Sequence, residues 1–194
     1  MTQYQQLYTG ISRAAWGYVF LYFDFKLGTV SILPSFVGIF LFLSAIDLLK
    51  ESRGDLLLLK PLGILLAAWH TGAWFSSWFE TSLEQYFSIL PIIINLASMY
   101  FHFQFLTDLA ALATAYQQAN AALDHRIIKW RTLHTLLLTV LSLISYPLKE
   151  FPHIQPFLLA VLAVCCCFTG FCIMAALFDL RLLFREDKNI SNPP

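Results

Sequence analysis

The sequence predicts an all-α fold: a polytopic bundle of six transmembrane helices with both termini in the cytoplasm. Three observations predict it. Of 194 residues, 58% are apolar and 12% charged, with mean hydropathy +0.66; an ordinary soluble domain carries about 25% charged residues. Six apolar stretches alternate with short polar connections. When those connections are assigned to alternating sides, ten of the lysines and arginines fall on one side and two on the other.

The first segment spans 8–25. It is apolar from Ala14 to Phe23, with Arg13 before that run and Asp24 and Lys26 after it. A turn containing Gly28 leads to the second segment, 28–49. Pro34 stands there at a helix entrance, where its missing N–H costs nothing. The run from Phe36 to Ile46 is broken only by Gly38 and Ser44 and has no ionisable residue, which suits a packing wall. With Leu27 to Ile32 added, the segment reaches the about 20 residues that a bilayer crossing takes.

Lys50 to Asp55 is a charged loop. The third segment, 56–79, carries Lys60 and Pro61 in its first turn. Trp74, Trp78, Phe79 and the nearby Tyr86 suit a membrane interface. The fourth segment spans 86–109. Ala110 to Leu123 is alanine-rich and lacks Gly and Pro, which favours helix, so this helix is expected to extend toward 123. The fifth, 127–147, has Lys129, Arg131 and His134 in its first turns. The sixth spans 156–184, and 189–194 is a polar tail. Residues 1–188 read as one transmembrane domain.

The ten basic residues are Arg13, Lys50, Arg53, Lys60, Arg126, Lys129, Arg131, Arg181, Arg185 and Lys188; the other two are Lys26 and Lys149. The positive-inside rule places the richer side, with both termini, in the cytoplasm. The asymmetry requires an even number of crossings.

The helices also read as three hairpins. Each even helix opens on a proline (Pro34, Pro91, Pro156) and closes near an aspartate (Asp47, Asp108, Asp179). Each odd helix has a basic residue toward its start (Arg13, Lys60, Arg131). The proline-to-aspartate spacings are 13, 17 and 23 residues, whereas a sequence repeat shows a fixed period.

Composition also excludes. Lys+Arg and Asp+Glu both total 12, so nucleic acid is not an expected partner. Residues 1–12 are polar and lack the pattern of a signal peptide. Cys165, Cys166, Cys167 and Cys172 share one apolar run, where a disulfide within a helix is geometrically poor and inert packing is expected. No phosphate-binding glycine loop, nucleophile elbow or His-Glu zinc motif is present. Enzymatic activity, a metal and a cofactor are therefore not expected.

The candidate site is a polar interior of Arg13, His70, Asn95, His102 and Gln104. An arginine well inside the hydrocarbon core usually faces a bundle interior or wet cavity with a partner. An anionic ligand or Asp47, Asp108 or Asp179 would serve; the other reading is that Arg13 snorkels to lipid phosphates. Asn95, His102 and Gln104 make the fourth helix the most polar, suited to interhelical hydrogen bonds or to a ligand pocket. His70, His102 and His134 lie on consecutive helices at different depths. His70 is about 15 Å from Lys60, and His102 about 9 Å from Asp108. A metal or haem site needs imidazoles at one level, and only His102 and His134 come near that.

The leading expectation is therefore binding or passage of a small molecule, with the lipid bilayer as surroundings and a membrane or cytoplasmic protein as a further partner. The alternative is a non-transporting scaffold or sensor that docks a partner through Ala110–Leu123 and the basic loops. A histidine-based haem or metal protein ranks third.

Asp24-Phe25-Lys26-Leu27-Gly28, followed by Ile32-Leu33-Pro34, Phe36 and Gly38, resembles the first hairpin of a family of small integral membrane proteins of Gram-positive bacteria. That resemblance covers about a quarter of the chain; it implies a bacterial plasma membrane and no particular activity. In size and six-helix topology the chain is also similar to the substrate-binding subunits of energy-coupling-factor vitamin transporters. Those carry two alanines four apart in the first helix, where this chain has adjacent Ala14 and Ala15.

Overall fold

The computed structural model describes residues 3–22, 26–27, 30–31, 34–78, 89–117, 122–144 and 155–190. Six α-helices are present among them: α1 (Gln3–Tyr22), α2 (Ser35–Leu49), α3 (Lys60–Ser77), α4 (Leu90–Tyr116), α5 (Leu123–Ile144) and α6 (Gln155–Ile190). A 3-10 turn, Gly54–Leu59, leads into α3. The fold is an all-α bundle, as the hydropathy pattern predicts.

Several boundaries differ from those expected, each for a local reason. α1 begins at Gln3 rather than at residue 8, because its polar first turns continue the helix that carries Leu7, Ile11, Ala14 and Tyr18 into the core. α2 begins at Ser35 rather than 28. Lys26–Leu27 and Val30–Ser31 form a two-residue antiparallel ladder (β1 and β2) instead, and Pro34 holds an extended backbone with φ −69° and ψ 131°. Proline also biases the preceding residue away from helix. At 15 residues, α2 is about 22 Å long, short of a core about 30 Å thick.

α4 runs past Asp108 but stops at Tyr116, not 123. Gln117 turns extended, and its side-chain Oε1 accepts from the backbone N–H groups of Leu123 and Asp124 at 2.9 and 3.3 Å. Those are orphan donors of the next helix, so α5 starts at 123 rather than 127. Ala122, just before it, has φ +44°. α6 continues through Ile190, so the polar tail is helical at its first two residues. The expected helical residues 23–25, 28–29, 32–33, 79, 86–88, 118–121 and 145–147 lie outside the described residues.

Four stretches are long and apolar enough to cross a bilayer: Gly54–Ser76, Leu90–Tyr116, Leu123–Ile144 and Pro156–Arg185. Only 11 to 28% of their apolar windows is buried within the protein. Ile64, Phe75, Ile93, Leu136, Val164 and Phe168 all face outward. An apolar exterior on this scale is a lipid-facing surface, and the chain reads as a helical membrane protein.

The helices form a ring in chain order, and α6 closes it against α1. Neighbours run antiparallel. Asp47 near the end of α2 meets Lys60 at the start of α3 at 2.7 Å. Asn95 near the start of α4 donates to Ser142 near the end of α5 at 3.1 Å. Arg126 at the start of α5 pairs with Asp179 in the last third of α6 at 2.6 Å. Odd helices therefore start, and even helices end, at one charged pole. There Asp47, Asp108 and Asp179 each face a cation: Lys60, Arg53 (3.9 Å) and Arg126.

α1 and α2 make the closest pair. A Cβ on Gly38 would lie 2.7 Å from the Gly17 carbonyl oxygen, so the two backbones meet where side chains are absent, as small residues permit between membrane helices. This pair buries Ile11, Ala14, Tyr18, Phe42 and Ile46. It presents the far half of α1 to α4 and α5.

Candidate binding cavity

Three helical stripes enclose a cavity of about 170 Å³ in mid-bundle. α1 contributes Tyr18, Leu21 and Tyr22; α4 contributes Ser98, Met99, His102 and Leu106; α5 contributes Arg131, His134, Thr135 and Leu138. Each set follows helical spacing, with residues three or four apart lying one above another. Most of the lining is apolar. The polar atoms converge from two tyrosines, two histidines, two hydroxyls and one guanidinium.

His134 is fully engaged. Its Nδ1 lies 2.7 Å from Thr169 Oγ1 on α6, and its Nε2 lies 2.6 Å from the Tyr22 hydroxyl on α1. The Thr169 hydroxyl is directed at the Cys165 and Cys166 carbonyl oxygens, 3.1 and 3.0 Å away. A hydroxyl has one proton, so Thr169 accepts from Nδ1–H. The neutral ring then accepts at Nε2 from the Tyr22 O–H. The chain of donors runs Tyr22 to His134 to Thr169 to backbone and ties α1, α5 and α6 together. Gly170 makes it fit: a Cβ there would lie 2.7 Å from the Tyr22 ring.

His102 is the opposite case. Its ring is wedged among Tyr18, Phe42 and Phe101, with centroids 5.5, 5.4 and 5.4 Å away. Both ring nitrogens, and the Tyr18 hydroxyl beside them, are buried without a hydrogen-bond partner. Leaving a buried donor or acceptor unmade costs about 1–3 kcal/mol. A cavity of about 150 Å³ lined only by apolar groups stays dry and accepts benzene. This one is of similar size with polar atoms in its wall, so a guest that offers both apolar surface and a polar group matches it.

Arg131 forms the wall nearest the charged pole. Its Nη1 donates to Thr107 Oγ1 at 2.6 Å and its Nη2 to Thr132 Oγ1 at 3.3 Å, and its guanidinium lies 4.0 Å from the Phe103 ring centroid. Its Nε–H is buried with no acceptor.

Of the five expected site residues, only His102 lines this cavity. Arg13 donates through Nη1 to Ser44 Oγ across the α1–α2 pair. His70 Nδ1 lies 3.2 Å from Ser35 Oγ between α2 and α3. Gln104 donates along its own helix to Asp108 at 3.3 Å. Asn95 lines an open groove of about 630 Å³ between α4 and α5, with Pro91, Ile92, Leu96, Met99, Thr139, Ser142 and Leu143. The five do not converge, for reasons of helical phase. At about 100° per residue, Gln104 points away from the His102 face, and Arg13 is turned about 140° from Tyr18. Asn95 shares the His102 face but lies two turns along it. Met99 alone borders both the cavity and the groove.

Tyr18, Tyr22, Arg131 and Thr169 were not among the expected residues. The available signal was the i, i+3, i+4, i+7 stripe Arg131, His134, Thr135, Leu138, which places a cation and an imidazole on one face of α5. His102 and His134 do share a cavity, as a haem or metal site would need. Yet both His134 nitrogens are committed, and no cluster of three metal-ligating side chains occurs among the described residues. The alanine-rich end of α4 is likewise occupied: Leu109, Ala110, Leu112 and Ala113 are buried in the bundle. No family model matches the chain, and neither does any curated protein or solved structure.

Proposed function

We propose that this chain is a six-span integral membrane protein of a bacterial plasma membrane that binds a small molecule in the cavity between α1, α4 and α5. The carrying observation is a benzene-sized hollow lined mostly by apolar side chains, with Ser98, Arg131 and Thr135 among its polar lining and the unpartnered polar atoms of Tyr18 and His102 buried in the packing behind it. Ligand pockets are mostly apolar, with a few convergent polar groups. The antiparallel ring of six helices supports six crossings. The ten-to-two distribution of basic residues supports the charged pole, and both termini, as cytoplasmic. Passage of the ligand would use Met99, which stands between the cavity and the open groove.

The test uses protein in phosphatidylcholine nanodiscs and three probes sharing a benzene ring: benzoate, benzyl alcohol and benzylamine. At least one binds saturably, and Leu106→Trp, which fills the hollow, abolishes that binding while leaving the helical content unchanged. Binding by none of the three, or binding indifferent to Leu106→Trp, overturns the reading.

A further inference from the structure

We infer that the cavity's ligand is a small organic anion, a carboxylate on a benzene-sized apolar body, with Arg131 meeting its charge; this rests on the reading that the cavity binds small molecules. The first observation is the sign of the wall. Among the eleven lining residues there is one fixed cation, Arg131, and no carboxylate. Two histidines, two tyrosines, Ser98 and Thr135 complete the polar part. A charge within a membrane bundle usually faces a partner. Among the described residues no carboxylate lies within ion-pair reach of Arg131, although Arg53, Lys60 and Arg126 each have one.

The second observation is what Arg131 leaves unused. A guanidinium has five N–H donors, and its protein partners are two threonine hydroxyls. Thr107 already donates its own proton to the Phe103 carbonyl oxygen at 2.7 Å, so it serves Arg131 as a neutral acceptor and cancels no charge. The buried Nε–H has no acceptor. Such a planar fork matches a carboxylate.

The third is the distribution of the remaining groups. Thr107 lies five residues beyond His102 along α4, so the guanidinium stands at one end of the hollow and Leu21, Met99 and Leu138 on its other walls. Ser98 and Thr135 add hydroxyls to the lining. A cationic guest would meet Arg131 as a like charge, and an entirely apolar one would leave every one of these donors unmade. A hydroxylated neutral guest would pair with the lining hydroxyls but would not meet the charge.

The same three probes in neutral phosphatidylcholine nanodiscs test this by isothermal titration calorimetry. Benzoate is expected to bind at least about tenfold more tightly than benzyl alcohol or benzylamine, as a charge-assisted hydrogen bond implies. Arg131→Gln removes that preference. Arg131→Lys, which keeps the charge and loses the fork, retains part of it, and Arg13→Gln leaves it intact. Equal or tighter binding of benzyl alcohol or benzylamine to the native protein overturns the inference without recourse to any variant, as does an unchanged preference in Arg131→Gln. If those probes bind in a manner that Leu106→Trp abolishes, the cavity stands and only the anion fails. If no probe binds, the cavity itself fails.

Discussion

Tyr22, His134 and Thr169 form a hydrogen-bonded line in which every proton has one destination. Hydrogen bonds between membrane helices are worth about 0.6 kcal/mol on average and up to about 1.7. Tyr22→Phe and Thr169→Val should therefore each lower stability by about 1 kcal/mol in reversible unfolding from mixed micelles. Because both act on one imidazole, the double mutant should lose measurably less or more than the sum. Strict additivity would show that the ring is not shared. At this scale the sequence is hardest to read. In the sequence Tyr18 and Tyr22 are two aromatic residues of an apolar run, and Arg131 is one of ten basic residues assigned to one side. Only their facing partners, two of them on helices remote in sequence, turn them into a cavity wall. His102 is legible alone, because an imidazole in an apolar run needs a reason.

Helix phase and small residues decide what each element contributes. Gly38 faces the Gly17 carbonyl oxygen, which is backbone and cannot move aside. Gly38→Ala should cost about 1–3 kcal/mol by overpacking; Gly54→Ala, where an added Cβ meets nothing within 4 Å, should be near neutral. Thermal unfolding followed by circular dichroism separates the two, and equal melting temperatures would refute the close crossing. On the α4–α5 seam, Met99 is a flexible side chain between cavity and groove. Met99→Ala should speed both capture and release of a bound probe in stopped-flow fluorescence, with the equilibrium constant changed less than either rate. Unchanged rates would mean that the groove is not the route. Most elements are legible in the sequence from apolar runs and prolines. Their ends are not: the start of α2 is set by strand pairing between 26–27 and 30–31, and the start of α5 by the side chain of Gln117. Both contacts involve residues, Val30, Ser31 and Gln117, that the sequence pattern assigns to helix.

For the whole molecule, the order of the helices follows from short connections, and the charged pole follows from the loop charges. The even spacing that a threefold hairpin repeat would show is absent from the sequence, yet the structure places Asp47, Asp108 and Asp179 at one pole, each facing a cation. That common placement comes from antiparallel alternation and from salt-bridge partners, which need no shared period. Single cysteines test the orientation in a variant whose four native cysteines are replaced. In intact bacterial cells, Glu51→Cys and His125→Cys should resist a membrane-impermeant maleimide and react only after lysis, whereas Lys26→Cys should react at once. The reverse pattern would invert the protein in the membrane.

All of this turns on whether the hollow between α1, α4 and α5 accepts a guest. The direct measurement is a crystal structure of the protein with 4-bromobenzoate, read by the anomalous signal of bromine. A bromine peak is expected inside the cavity, between Leu21, Met99 and Leu138, with the carboxylate directed toward Arg131. No peak there, or a peak confined to the open groove beside Asn95 and Ser142, would contradict it.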